Sequence, residues 1–114
     1  MTIVEDVRTD IGVLDDSFDN DILVFINVAI TDLRMVGATN ATSISSTDEW
    51  SKVSDVFKDT SGAIRSYITT KTKFLFDPPA PSMVGQMSTI IDQTLFRIQQ
   101  ETELQEYDNK GGDD

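Results

Sequence analysis

At 114 residues and 12.7 kDa the chain is long enough for one compact domain and too short for two. Twenty Asp and Glu against nine Lys and Arg give a net charge of −11 and a pI near 4.1, so exposed acids repel nucleic acid and a sequence-reading DNA binder is disfavoured. With neither His nor Cys the chain has no Ser-His-Asp or Cys-His catalytic set, no His or thiolate zinc site and no disulfide framework, which leaves only carboxylate chemistry over a hard cation.

The absence of Cys fits a reducing compartment. Residues 1–8 lack the basic start and apolar run of a signal peptide, so none is expected. The longest apolar-rich stretch, residues 22–30, is far below the roughly 20 residues that span a bilayer. A soluble protein with no membrane partner is expected. A composition of 39% hydrophobic and 25% charged residues is that of an ordinary globular domain.

Apolar positions recur at helical spacing almost throughout, which predicts an all-α fold of about four helices plus a short one. Thr2 is a usable N-cap for a first helix with Glu5 and Asp6 in its acidic first turn, Ile3, Val4, Val7 and Ile11 on one face and Gly12 as its stop. The acids of residues 15–21 are expected to cap and charge a second helix, whose line Ile22, Ile26, Ala29, Leu33 and Val36 ends at Gly37. Residues 38–47 are mostly Thr, Ser and Asn and read as a loop, with Ile44 as its anchor to the core. Ser46 and Glu49 have capping-box spacing and predict a short helix carrying Trp50, Val53 and Phe57. A third long helix starts near Thr60 or Ser61, carries Ile64, Tyr67, Ile68, Phe74 and Leu75, and is broken by Asp77-Pro78-Pro79. Ser82 is the expected cap of a last helix with the stripe Val84, Met87, Ile91, Leu95 and Ile98. Helical composition continues to about Tyr107, but Leu104 and Tyr107 fall off the stripe. The expected division is therefore a helical domain over residues 1–100 and an acidic extension over 101–114, with residues 108–114 as a tail.

The acidic run 15–21 resembles a calcium loop only superficially, since it lacks the Gly and the Glu an EF-hand requires at its sixth and twelfth positions. No catalytic, cofactor-binding or metal-ligating residue is assigned, and no cofactor is expected. The distribution of charge is more informative. Residues 1–21 hold seven acids against Arg8, residues 101–114 hold six against Lys110, and these two segments account for the whole net charge. Lys58, Arg65, Lys71 and Lys73 face Asp59 alone in the middle, so copies of the chain have opposed patches with which to meet. Lys71 interrupts an otherwise apolar helical line and is expected either to snorkel or to meet a carboxylate of a neighbour.

The segment from Tyr67-Ile68 through Lys71, Lys73, Phe74-Leu75 and Phe76-Asp77-Pro78-Pro79 resembles the late-helix signature of the head-tail connector proteins of tailed bacteriophages. Asp21-Ile22-Leu23, the run 26–30, Leu33 and Gly37 are similar to that family's second helix, and the polar loop before Trp50 also fits. The acidic Gly-Gly-Asp-Asp end has no counterpart there. The resemblance implies a non-enzymatic virion structural protein of the neck, present in the host cytoplasm before assembly. It implies a homo-oligomeric ring of twelve copies that docks under the portal protein, closes the DNA-filled head and meets a downstream neck, stopper or tail-completion protein, while duplex DNA passes through without specific binding. The candidate subunit or portal contacts are Arg65, Tyr67, Lys71, Lys73, Phe76, Asp77, Pro78, Pro79, Leu104 and Tyr107, and the candidate channel-lining acids are Glu101, Glu103, Glu106 and Asp108. From another class, a small acidic helical inhibitor that mimics DNA is the alternative, favoured if carboxylates form an exposed array.

Overall fold

The computed structural model describes the backbone of residues 1–53 and 61–112 and the side chains of 1–53 and 62–104. Four α-helices and one short 3-10 turn are found in that range, in agreement with the all-α expectation: α1 (Ile3–Asp10), α2 (Asp19–Met35), the 3-10 turn Trp50–Lys52, α3 (Ser61–Phe76) and α4 (Pro81–Gly112).

α1 starts as its sequence predicts. The Thr2 hydroxyl accepts from the Glu5 N–H at 3.1 Å, and the Glu5 carboxylate accepts from the Thr2 N–H at 3.0 Å, satisfying two backbone donors that a helix start leaves open. The bond to the Thr2 backbone is the main cause that holds the Glu5 carboxyl below its ordinary value. Ile3, Val4 and Val7 are buried, and Gly12 leaves the helix at φ +84°, a conformation that costs other residues strain.

The start of α2 differs from expectation. Phe18 occupies the capping position and no side chain caps the helix. Asp15 instead accepts from the Ser17 N–H at 2.9 Å one turn upstream, and Asp19 is drawn to Arg8, the only cation of the first 21 residues, at 2.6 Å. The acids thus act on α2 through the charge of Asp19 and Asp21 in its first turn. Ile22, Ile26, Ala29, Ile30 and Leu33 form its buried stripe, Val36 is half-buried, and Gly37 ends the helix at φ +80°.

Ile44 is buried, as the polar loop requires of its one apolar anchor. The grip on it comes from α2, where Asn27 accepts from the Ile44 N–H at 2.9 Å and donates to the Ile44 carbonyl at 3.2 Å. Arg34 donates to the carbonyls of Ala41 and Thr42, so the loop follows α2 with these backbone groups satisfied. The predicted Ser46–Glu49 capping box does not form. Glu49 precedes the 3-10 turn without a side-chain bond, and Asp48 takes the Ser45 N–H at 2.7 Å, a local turn one residue ahead of the expected box. Trp50 and Val53 pack on the core, while Phe57 lies outside the described residues.

α3 is the element on which the others converge. Ile64, Tyr67 and Ile68 are buried along it, and Phe74 is half-buried. The ring of Phe18, just before α2, meets that of Phe76, the last residue of α3, edge-on at 5.5 Å between centroids. Asp32 near the other end of α2 meets Tyr67, so α2 and α3 run antiparallel. Asp77-Pro78-Pro79 breaks the chain as predicted, and α4 returns antiparallel with Met83 and Met87 beside Lys73 and Phe74. The return begins at Pro81, in the position where a missing N–H costs least, so Ser82 lies inside the first turn and is not the cap.

α4 also runs further than its apolar stripe suggests. Thr102 is buried one turn beyond Ile98, its hydroxyl donating to the Ile98 carbonyl at 2.8 Å and its methyl 3.8 Å from where a Gly37 side chain would begin. The stripe therefore continues through a polar residue. The helix continues to Gly112, because Glu, Gln and Leu favour propagation once a helix exists; the division expected at residue 100 falls inside it, as does most of the expected tail. The helices form a flat body of 53 × 35 × 18 Å, with α3 between α2 and α4.

Replacing Asn27 by Ala removes both bonds to Ile44 and leaves two half-buried backbone groups without partners. The expected loss is about 1 to 3 kcal/mol in urea unfolding, with α-helicity of the remaining folded state unchanged by circular dichroism.

Candidate partner-binding surfaces

The cations singled out from the sequence have different surroundings. Arg65 lies over the Trp50 ring at 4.9 Å and reaches Asp6 at 3.7 Å and Asp10 at 3.8 Å. Trp50 Nε1 donates to the same Asp6 at 2.7 Å, so Asp6, Trp50 and Arg65 tie α1, the 3-10 turn and α3 together. Lys71 does meet a carboxylate, but it is Asp32 of its own chain at 3.8 Å. An i, i+3 or i+4 spacing on α3 shows nothing of this partner, which comes from α2 and becomes visible only once the two helices are paired.

Tyr67 is 2% exposed and donates to Asp32 at 2.8 Å. Its phenol is pushed well above the usual value near 10, chiefly by burial and then by the bond to Asp32. Tyr67 and Lys71 therefore sit with Asp32 in a knot between α2 and α3. Lys73 is different: it is exposed and makes no ion pair among the described residues.

Lys73 stands at the rim of a groove of about 440 Å³ in the angle between α3 and α4, lined by Thr69, Thr70, Phe74, Asp77, Pro78, Pro79, Met83 and Met87. Its floor is apolar, with one cation and one carboxylate at the edge. Pro78 and Pro79 hold its outer wall without amide donors, which suits a contact made by shape more than by backbone hydrogen bonds. Of the residues proposed from the sequence, Lys73, Asp77, Pro78 and Pro79 converge there, whereas Phe76 turns to Phe18.

The remaining candidates lie far along α4. Glu101, Glu103 and Leu104 are exposed, and the side chains of Glu106, Tyr107 and Asp108 are outside the described range. Among the described residues no group of carboxylates is arranged to hold a metal ion, and no helix is long and apolar enough to cross a membrane. Sequence reasoning missed a further feature. Val24, Val28 and Met35 on α2 and Ile90 and Phe96 on α4 are large, apolar and 40–79% exposed, and Leu104 on α4, already off the stripe in the sequence, joins them. Each helix has a strong core stripe, which drew attention from the second, outward one.

The Tyr67 phenol ties stability to alkaline pH. The folded chain holds the proton to higher pH than the unfolded chain, so its contribution is complete below about pH 10 and is lost as pH rises above it. Tyr67→Phe should cost about 1 kcal/mol at neutral pH and show a smaller fall in urea midpoint than the parent chain between pH 9 and about 11. Equal pH slopes for the two proteins would contradict this assignment.

A family model described as phage connector protein matches residues 3–105, from the first residue of α1 to well along α4. No curated protein and no solved structure is similar at a significant level. The match takes in the α2 and α3 stripes, the polar loop and the Asp77-Pro78-Pro79 corner together, and on that basis the chain belongs to the phage connector protein family.

Proposed function

We propose that this phage structural protein is a non-catalytic subunit of the head-tail connector ring, which docks under the portal, closes the filled head and leads to the neck or tail. The observation that carries this is the family match over residues 3–105, which covers the fold as a whole and not an isolated motif. The charge pattern supports it. A channel lined by cations would hold DNA through phosphate contacts, each adding affinity by counterion release, whereas an acidic lining lets the duplex slide. The −5 carried by residues 101–114, including Glu101, Glu103, Glu106 and Asp108, suits the last turns of α4 to that lining. The groove at the α3–α4 corner, with Lys73, Asp77, Pro78 and Pro79, suits the contact with the portal or the next neck component.

Electron microscopy of the purified protein mixed with its portal tests this. The expected image is a closed ring of copies on the portal, its channel continuous with the portal's and residues 101–112 facing it. Lys73→Glu should weaken capture by the portal or neck partner at least tenfold while leaving helicity unchanged, because Lys73 has no ion pair among the described residues to lose. Failure of the protein to associate with portal or neck, or residues 101–112 on the outer rim away from both portal and channel, would contradict the proposal.

A further inference from the structure

The two outer helices of the flat body have faces that remain exposed among the described residues. α2 packs on α3 through the line Ile22, Ile26, Ala29 and Leu33, and its opposite side carries Val24, Val28, Thr31 and Met35 at spacings of 4, 3 and 4, the pattern of a seam between helices. α4 packs through Ile91, Ile98 and Thr102, and its opposite side carries Ile90, Phe96 and Leu104 among Gln86, Gln93 and Gln100. A helix face turned to water ordinarily carries ions. Here the outward line of α2 has none, and that of α4 has Gln86, Gln93 and Gln100 along its middle, with Arg97 on one flank and Asp92 and Glu103 on the other.

This matters in a chain of net charge −11. Two copies approaching by their acidic ends repel, and contact is favourable only through faces without carboxylates. The outward line of α2 meets that condition, and the α4 face meets it along its middle, where Arg97 flanks one edge and Asp92 and Glu103 the other. They lie on opposite sides of α3, so one copy presents both halves of a head-to-tail contact, the form that closes into a ring. Depletion of charge with enrichment of Phe, Met and aliphatics is also the composition of an interface centre.

The levels of the two faces agree. α2 and α4 both run antiparallel to α3, hence parallel to each other, and Gly37 beside Thr102 marks a common height. At 1.5 Å per residue, counting back from that point sets Val24 level with Thr89, one residue from Ile90, Thr31 with Phe96 and Met35 with Gln100. A neighbour placed alongside without axial shift would insert Phe96 into the hole between Val28, Thr31 and Met35.

We infer, resting on the ring assembly proposed above, that the seam between neighbouring copies is formed by the outward face of α2 on one subunit and that of α4 on the next, with Phe96 as its central knob. The basic patch of α3 is not the seam. Arg65 and Lys71 are engaged by Asp6, Asp10 and Asp32 of their own chain.

The absence of native cysteine makes the test clean. Chains carrying Val28→Cys and Phe96→Cys together, and each alone, are assembled on the portal and treated with a short bismaleimide; Val24→Cys with Ile90→Cys is a second pair. All four positions are exposed, so folding should survive, and circular dichroism verifies it. The expected result is a ladder of covalent multimers with either double variant and none with the single ones. Phe96→Asp should abolish the ring without loss of helicity. A ring that forms on the portal yet gives no ladder overturns this seam while leaving the ring intact. So do dimers from Val28→Cys alone, which would mean a two-fold contact, or cross-links from either face to the portal subunit. No ring at all removes the proposed assembly itself and the seam with it.

Discussion

Asp32 is half-buried between two helices and must be satisfied there, and the orientation of the outer elements depends on how this is done. Tyr67 donates its phenolic proton at 2.8 Å and Lys71 contributes charge at 3.8 Å, both from α3. A carboxylate taken partly out of water costs several kcal/mol unless such partners are present, so the pairing of α2 with α3 is specified at one height. The apolar contacts around it, Ile26, Ile30, Leu33, Ile64 and Ile68, supply the larger part of the stability but would tolerate a shift along the helices. The polar contact does not. With α2 placed, Phe18 reaches Phe76 at the other end, and the α3–α4 corner is positioned relative to the acidic loop.

A second cluster does the same for the rest of the chain. Asp6 serves the Trp50 indole and the Arg65 guanidinium at once, which brings the end of the polar loop against both α1 and α3. Arg65 and Lys71 are therefore used inside the fold, and Lys73 is the member of that row with no ion pair among the described residues. Intramolecular pairing of this kind narrows where an electrostatic partner contact can be placed. It points to the groove at the corner, and away from the upper half of α3.

The helices were legible because their signals are local. Thr2 with Glu5, the two positive-φ glycines and Asp77-Pro78-Pro79 act within a few residues of themselves, and each ends or begins a helix where periodicity says it should. The errors have a common origin in competition. Asp15 spends an oxygen on a turn instead of a cap, Asp48 forms a turn with Ser45 where a Ser46–Glu49 box was expected, Pro81 starts α4 ahead of Ser82, and Thr102 enters the core by bonding its hydroxyl back to the helix. What joins elements distant in sequence was not legible at all. Asn27 to Ile44, Asp32 to Tyr67 and Trp50 to Asp6 are separated by 17, 35 and 44 residues, and no spacing rule on one helix contains them. The resemblance carried by the corner segment filled part of that gap, since it implied an order of elements.

The uneven charge then bears on how copies come together. In the proposed ring each added subunit brings −11, and repulsion accumulates around the circle even when every seam is apolar. At physiological ionic strength the screening length is about 8 Å, short against the 35 Å and 53 Å dimensions of the body, so acids placed at the ends of the molecule act weakly on a seam at its sides. Acids on the seam itself would not be screened. Concentrating the excess of acids in residues 1–21 and 101–114 leaves the side faces freer to associate while those segments stay solvated or face the channel. The same separation makes association depend on salt and on a partner that gathers copies locally, since an apolar contact of this modest extent gains most when neighbours are already held at high effective concentration.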